Sequence, residues 1–370
     1  MDFRPRVNFL LGENGQGKTN LLEAVFLLCR GISFRASDAQ SLLRKGGNRK
    51  SRIHGHFLKD SSGSTLDYSV DMTLESGRKS ATINGKKVNS AGLMTHFPCV
   101  LFSPESLSAI KEGPDQRRQL IDELLISHDP RQARLLREFS KALKSRNRLL
   151  KNIAEGIGFR SSQEASLESL NKIYFLLATH LTSARLRALN DLQPCIQEAM
   201  RSILDEADAD ISVDYVISGE SALSWSDSQV FDAIRKRHQT LALQEASAGS
   251  SLVGPHKHDI KLLLAGNDSR FYCSQGQQRA LILALKIAQI VYHHRVHQTY
   301  PVLLLDDVMS ELDAKKRVNL MKFLEGISAQ ILITATDLTW SNQFALDRNS
   351  IFGVNAGSIR SVDAGPGFGP

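Results

Sequence analysis

The chain has little with which to staple itself together or span a membrane. Its 370 residues include four cysteines, Cys29, Cys99, Cys195 and Cys273, far apart and without a C-x-x-C pair. That spacing excludes a disulfide framework and a cysteine-built metal centre, and fits reduced, mostly buried thiols. No apolar run approaches the roughly 18 residues of a membrane helix. The opening MDFRPRVNFLLGENG offers no apolar stretch for a secretory signal. Aromatics are scarce, at 6%, and no RNP or OB pattern supplies a platform for stacking bases. Internal repeats and low-complexity tracts are also missing. The expectation is a soluble, cytoplasmic protein with no membrane partner.

What is present points elsewhere. With 42% hydrophobic residues the chain can bury a large core, and at this length two lobes are expected. A formal charge of +7 suits a polyanionic partner, although excess charge says nothing about fold.

Gly12, Glu13, Asn14, Gly15, Gln16, Gly17, Lys18 and Thr19 form a phosphate loop of the type G-x-x-x-x-G-K-[ST]. Its setting matters more than the string. Val7 to Leu11 reads as a short buried strand, and Asn20 to Cys29 as an apolar helix. Gly15 and Gly17 let the backbone curl so that successive N–H groups face one concavity. The helix adds the positive end of its dipole there. Lys18 is expected to reach the β- and γ-phosphates of ATP, and the Thr19 hydroxyl to sit on Mg²⁺.

Further along, residues 53–88 alternate in strand fashion, with Asn84-Gly85 as a two-residue hairpin signal. An antiparallel meander is expected. Pro98 to Pro114 reads as loop and short helix. From Arg117 to about Leu204 the periodicity is helical, as for two or more helices folded into an arm. Strand pattern returns at Asp210 to Ile217, and a helix is expected over Ser226 to Gln244. A strand pair follows over Val253 to Phe271, then helix to His297, strand at Val302 to Leu305, helix at Ala314 to Leu324 and strand at Gln330 to Thr334. The tail after Gly357 reads as disordered. The lobes expected are an ATPase lobe over 1–115 and 246–370, with a helical arm lobe over 116–245 inserted.

Pro301 to Asp307 reads PVLLLDD, an apolar strand ending in two carboxylates. Such a carboxylate is expected beside the phosphate loop of the neighbouring parallel strand. Asp306 would hold the Mg²⁺ that Thr19 also touches, and Asp307 would orient or deprotonate the attacking water. The stretch separating Lys18 from Asp306 is far longer than one βαβ unit, so something large is inserted between two halves of one site.

Ser274-Gln275-Gly276-Gln277 stands at a helix start, with Ser274 as N-cap and Gly276 allowing close approach to backbone. Read alone it is a capped helix. Between a phosphate loop and PVLLLDD it resembles the signature loop of ABC-type ATPases, where a second subunit presents Ser and Gly to the γ-phosphate and two ATPs are sandwiched in a dimer. Ser274, Gly276 and Gln277 would then contact nucleotide. Ser310-Glu311-Leu312-Asp313 resembles the loop that communicates across that dimer, which puts Asp313 near the nucleotide too.

Together with FSPESL at 102–107, EGPDQRRQLIDELL at 112–125, KSRNRLLK at 144–151, GPHKHDI at 254–260 and SQGQQRALILALKIA at 274–288, these motifs resemble the RecF family of bacterial recombination-repair ATPases, related to SMC-type heads. The resemblance implies an α/β fold: an ABC/SMC-head-like P-loop ATPase lobe of mixed sheet plus antiparallel meander, with an inserted helical arm lobe. It also implies ATP-dependent homodimerisation on DNA near single-strand/duplex junctions, slow DNA-dependent hydrolysis, a place in the RecFOR pathway and SOS response, and cooperation with RecR and RecO in loading RecA. The chain departs from the family in three places. The family opens with an additional strand and an Asn-Phe-Arg segment, so a late-assigned start is expected here. The family's Gly-Pro-His-Arg-Asp-Asp appears as Gly254-Pro255-His256-Lys257-His258-Asp259, with His258 in place of a carboxylate. Where ABC-type ATPases have a switch histidine the chain has Thr334-Ala335-Thr336-Asp337, so a γ-phosphate sensor would use a hydroxyl.

On Arg134 to Ile153, helical spacing places Arg134, Arg137, Lys141, Lys144, Arg148 and Lys151 on one face and the apolar residues on the other, with Arg146 alone among the basic residues on the apolar side. The basic face is either a solvated surface, or a contact for the DNA backbone, where counterion release would reward it, or for an acidic surface on RecR. Arg117 and Arg118 are a second basic site, equally explained by a salt bridge to Asp122. Two other classes share part of this pattern, an ABC-type transporter ATPase subunit and a P-loop kinase of small metabolites. The helical insert and basic arm argue against the first. The signature loop argues against the second.

Overall fold

The computed structural model describes residues 2–3, 6–35, 40–43, 50–61, 64–75, 77–104, 113–158, 160–204, 210–337 and 351–361. Parts of two expected segments, 105–112 and the tail beyond 361, lie outside them. The chain forms two compact units, one of residues 1–106 with 293–370 and the other of 107–292.

The first unit opens with β1 (Val7–Leu11), which leads directly into α1 (Lys18–Arg30). Gly31 ends α1 in the left-handed conformation, φ 69°, and its N–H donates to Leu27 O at 2.8 Å. The meander follows as β2 (Lys50–Ser61), β3 (Ser64–Glu75), β4 (Arg78–Ile83) and β5 (Lys86–Val88), paired in that order. Asn84 and Gly85 have φ of 48° and 76°, the double positive φ of a tight hairpin turn. Then come α2 (Ser90–His96), capped by Asn89, and β6 (Cys99–Phe102). Residues 99–102 fall in the stretch that reads as loop and short helix. Four residues bounded by Pro98 carry too short an apolar run to separate a buried strand from a loop.

The second unit carries α3 (Pro114–His128), α4 (Pro130–Ala154) and α5 (Arg160–Leu204), the last with Pro194 inside it. It continues with β7 (Ile211–Ile217), β8 (Glu220–Ser221), α6 (Asp227–Ala248), β9 (Asp259–Leu264), β10 (Asn267–Asp268) and α7 (Ser269–Tyr272). These strands form a second antiparallel sheet, ordered β10-β9-β7-β8. The division between the units falls inside α8 (Gln275–His297). Residues 246–292 therefore cluster with the arm helices, not with the ATPase lobe to which the 245 boundary assigned them. The cause is the pairing of β9 with β7 across six register positions, which ties the segment after residue 246 to the strand that follows α5.

The first unit resumes with β11 (Val302–Leu305), α9 (Val308–Glu311), α10 (Ala314–Glu325), β12 (Ile331–Ala335), β13 (Ile351–Asn355) and β14 (Ser358–Ser361). Its main sheet is ordered β14-β13-β1-β12-β11-β6, parallel except for the β13–β14 hairpin. Residues 358–361, expected in a disordered tail, are the edge strand of this hairpin. The Ala356-Gly357 turn (φ 47° and 77°) makes it possible. A buried cluster including Leu10, Leu22, Phe26, Met72, Leu93, Leu101, Leu304, Leu332 and Phe352 joins sheet, α1 and meander.

Candidate functional site: a phosphate loop and two carboxylates

β1 aims its carboxyl end at the loop, and Gly17, φ 103°, starts α1. Gly15 also has positive φ, 80°, so the two glycines supply the curl the sequence required. Gly12 is needed for another reason. A Cβ there would stand 2.3 Å from Val354 O, so only glycine lets β13 pack against the loop entrance. Lys18 is buried, and its Nζ donates to Gly12 O at 2.7 Å and Glu13 O at 3.0 Å. Its ammonium thus lies inside the loop. Glu13, Asn14 and Gly15 are exposed at the tip.

The two carboxylates arrive by a route the sequence did not show. β11 is not the neighbour of β1, because β12 lies between them. The gap is closed by two hydroxyls. Thr19, in the first turn of α1, donates from Oγ1 to Asp306 Oδ1 at 3.0 Å, across 287 positions of sequence. Thr334, near the end of β12, donates to the same oxygen at 2.9 Å and accepts from Asp307 N–H at 2.8 Å. Asp306 is 5% exposed. Asp307 sits in the left-handed region at φ 52°, a strained conformation for aspartate that functional sites tolerate. Among the described residues its carboxylate makes no hydrogen bond. Thr334 is the residue sequence reasoning undervalued. It stands where a switch histidine was sought, and it fixes both carboxylate-bearing residues. Thr336 and Asp337 are exposed.

A second missed feature is the hairpin turn against the loop. Ala356 N–H donates to Gln16 Oε1 at 2.7 Å, and Gly357 N–H to Gln16 O at 2.9 Å. β13 and β14 therefore brace the phosphate loop from outside. Just beyond the carboxylates, Ser310 Oγ donates to Asp307 O at 2.7 Å. Asp313 caps α10, accepting from Lys316 N–H at 2.9 Å and from its ammonium at 2.7 Å. Its side-chain bond to Lys316 holds the Asp313 carboxyl below the usual range.

In the second unit, Ser274 and Gln277 form a reciprocal cap at the start of α8. Gln277 N–H donates to Ser274 Oγ at 3.2 Å, and Ser274 N–H to Gln277 Oε1 at 2.9 Å. Ser274, Gln275, Gly276 and Gln277 are all exposed, and a Cβ on Gly276 would meet open space apart from Ser274 Oγ at 4.0 Å.

The six basic residues of α4, Arg134, Arg137, Lys141, Lys144, Arg148 and Lys151, are all exposed. Arg134 pairs with Glu138 and Lys151 with Glu155, both one turn on. Lys141, Lys144 and Arg148 make no ion pair among the described residues. Arg146, on the other face, is fully buried and bonds Glu245, Asn171 and Ser251. Arg117 and Arg118 do not pair with Asp122. Arg117 reaches Asp259 at 2.8 Å, Arg118 pairs with Asp115, and Asp122 is taken by Arg185 at 2.8 Å. Both arginines are buried, which removes them as a nucleic-acid surface. His258 is buried against Tyr215, whose hydroxyl is 3.1 Å from its Nδ1. Burial first, then Arg185, pushes its pKa well down, so it is neutral.

No described helix is long and apolar enough to cross a membrane. Residues 1–357 match the RecF/RecN/SMC N terminal domain family. The DNA replication and repair protein RecF of Heliobacterium modesticaldum is 34% identical, over 97% of this chain and 94% of its own length. That of Geobacter metallireducens is 32% identical, over 96% and 94%. A solved structure of the recombination mediator protein RecF with ATP, of the RecFOR pathway, has a TM-score of 0.85 at 30% identity, over 98% of this chain and 93% of that one. An SMC head domain from Pyrococcus furiosus, at TM-score 0.50 and 16% identity over 97% and 90%, shares the fold alone. A phosphate loop whose Thr19 hydroxyl meets Asp306, with Thr334 holding Asp306 and the Asp307 backbone, on a sheet of this order and with these relatives, places the chain in the RecF family.

Proposed function

We propose that this chain is an ATP-dependent DNA-binding protein of recombinational repair and replication-fork maintenance, acting in the cytoplasm within the RecFOR pathway. The observation that carries the reading is the Thr19–Asp306–Thr334–Asp307 constellation beside a loop that already encloses the Lys18 ammonium. The residues fit a magnesium nucleotide. Thr19 and Asp306 offer hard oxygens at one point, and the glycine loop turns its backbone toward an anion. Bound ATP supplies the phosphoryl group, and Mg²⁺ neutralises its charge. The chain does the rest. Lys18 places a cation in the loop, Thr334 fixes Asp306 and Asp307, and Asp307 is left unbonded to orient or deprotonate a water. Gly12 to Thr19 would line the nucleotide. The exposed Ser274, Gly276 and Gln277 would be presented to the nucleotide of a second copy, with Asp313 nearby.

Slow, DNA-stimulated hydrolysis would make ATP a binding switch, with a homodimer closing on DNA near single-strand/duplex junctions and working with RecR and RecO toward RecA. The relatives' names give no support to the transporter reading or the metabolite-kinase reading. Binding of a fluorescent ATP analogue tests the site. Lys18→Met is expected to lose binding. Asp307→Asn is expected to keep it while turnover falls about 10²- to 10⁴-fold, the usual worth of a positioned base. Undiminished nucleotide affinity in Lys18→Met would contradict the reading.

A further inference from the structure

The exposed face of β2 and β3 holds a pair of imidazoles that the nucleotide site does not use. His54 and His56 are two residues apart on one strand and so share a face, and both are exposed. β3 supplies a carboxylate to each. His54 Nδ1 is 2.9 Å from Asp71 Oδ1, and His56 Nδ1 is 3.1 Å from Asp67 Oδ1. Asp71 is directly opposite His54 in the pairing register, and Arg52 also donates to it at 2.8 Å. An ionised carboxylate only accepts, so in each ring Nδ1 is the donor. That leaves both Nε2 lone pairs free, and these two atoms face each other at 3.1 Å. Two lone pairs at this separation repel unless a cation joins them.

The spacing suits a metal ion. Imidazole nitrogens held about 2.0–2.1 Å from one ion stand 3.1 Å apart when they subtend about 100° at it, between the square and tetrahedral angles. The rings lie at 81° to each other, so neither blocks the other's approach. A carboxylate on the far nitrogen of each ring is the usual arrangement behind ligating histidines, fixing tautomer and orientation. We propose that His54 and His56 form a two-histidine site for a divalent ion of the zinc, nickel or copper class, oriented by Asp71 and Asp67. Because the strand face is open, the remaining positions on the ion are left to water or to an oxygen ligand from outside the chain.

Calorimetric titration of the full chain with Zn²⁺, Ni²⁺ and Cu²⁺ salts in a non-chelating buffer tests this. The chain has 11 histidines, so the site is counted by difference. His54→Gln with His56→Gln is expected to remove one ion per chain, with circular dichroism unchanged because both side chains are exposed. Asp67→Asn is expected to weaken the same site about 10- to 100-fold, as loss of a supporting partner does. With Cu²⁺, the spin-resonance spectrum of the wild type is expected to show two nitrogen ligands that the double variant lacks. Equal stoichiometry and affinity in wild type and double variant would overturn the proposal. So would a wild type that binds none of the three metals, in which case the pair holds only a proton.

Discussion

Arg146 is the residue at which sequence pattern and chemistry pull in opposite directions. Helical spacing puts it on the apolar face of α4, where an arginine should not be. The structure resolves this with a fully buried ion pair to Glu245 at 2.6 Å, supplemented by His238, Asn171 and Ser251. No helical wheel could have shown this, because Glu245 lies 99 positions away. Breaking such a pair leaves an uncompensated buried charge, so Arg146→Met should cost about 3–5 kcal/mol. Replacing both partners with apolar residues should recover most of that, and urea denaturation of the two variants would show it. A pH effect follows. Burial pushes the Glu245 carboxyl up, but hydrogen bonds from His238 and Arg146 and the arginine's charge outweigh it, bringing it down to about 2. A lowered carboxyl stabilises the fold above its unfolded pKa, about 4.3, and loses that contribution as pH falls toward the folded value. Wild-type stability should therefore drop more steeply between pH 5 and 2 than that of Glu245→Gln, as acid titration followed by circular dichroism would show.

Among elements, α4 was the most legible. Its six-residue basic face, read from spacing alone, is exposed throughout. Arg134 and Lys151 are partly answered by glutamates one turn on, which leaves Arg137, Lys141, Lys144 and Arg148 as the charges best able to serve a phosphate backbone. Reversing Arg137, Lys141 and Lys144 to Glu should weaken DNA binding and flatten its salt dependence, by about 0.9 in log–log slope for each duplex phosphate no longer neutralised. An unchanged slope would return the face to plain solvated surface. The β13–β14 hairpin was the least legible. Its strands have five and four residues, and they were hidden by a glycine-rich ending whose composition resembles a disordered tail. Yet this hairpin holds the phosphate loop through Gln16. Gln16→Ala removes the bond to Ala356 N–H, worth about 1 kcal/mol. It should weaken ATP binding several-fold while lowering the melting temperature by no more than about a few degrees, which a nucleotide titration and a thermal melt would separate.

At the scale of the molecule, the motifs identified the chemistry but not the wiring between them. Strand, glycine loop and helix could be read directly, and so could the apolar strand ending in Asp306 and Asp307. Their adjacency could not. Parallel strands joined by long crossovers carry no register in the sequence, and β12 enters between β1 and β11 from far downstream. Thr334 then becomes the bridge, although its local string does not separate it from Thr336. The division into units was shifted for a similar reason, since the pairing of β9 with β7 is not written in either strand. The Ser274 corner is the other half of the account, because an exposed, doubly capped helix start that leaves Gly276 open is what a second copy could present to a nucleotide. Ser274→Arg should leave ATP affinity of the monomer unchanged and abolish association. Light scattering of the Asp307→Asn chain with saturating ATP and a junction oligonucleotide tests the central claim most directly. The protein component is predicted to double in mass with ATP, and to stay monomeric without it or when Ser274→Arg is added. A mass that stays monomeric with both ligands present would contradict the account.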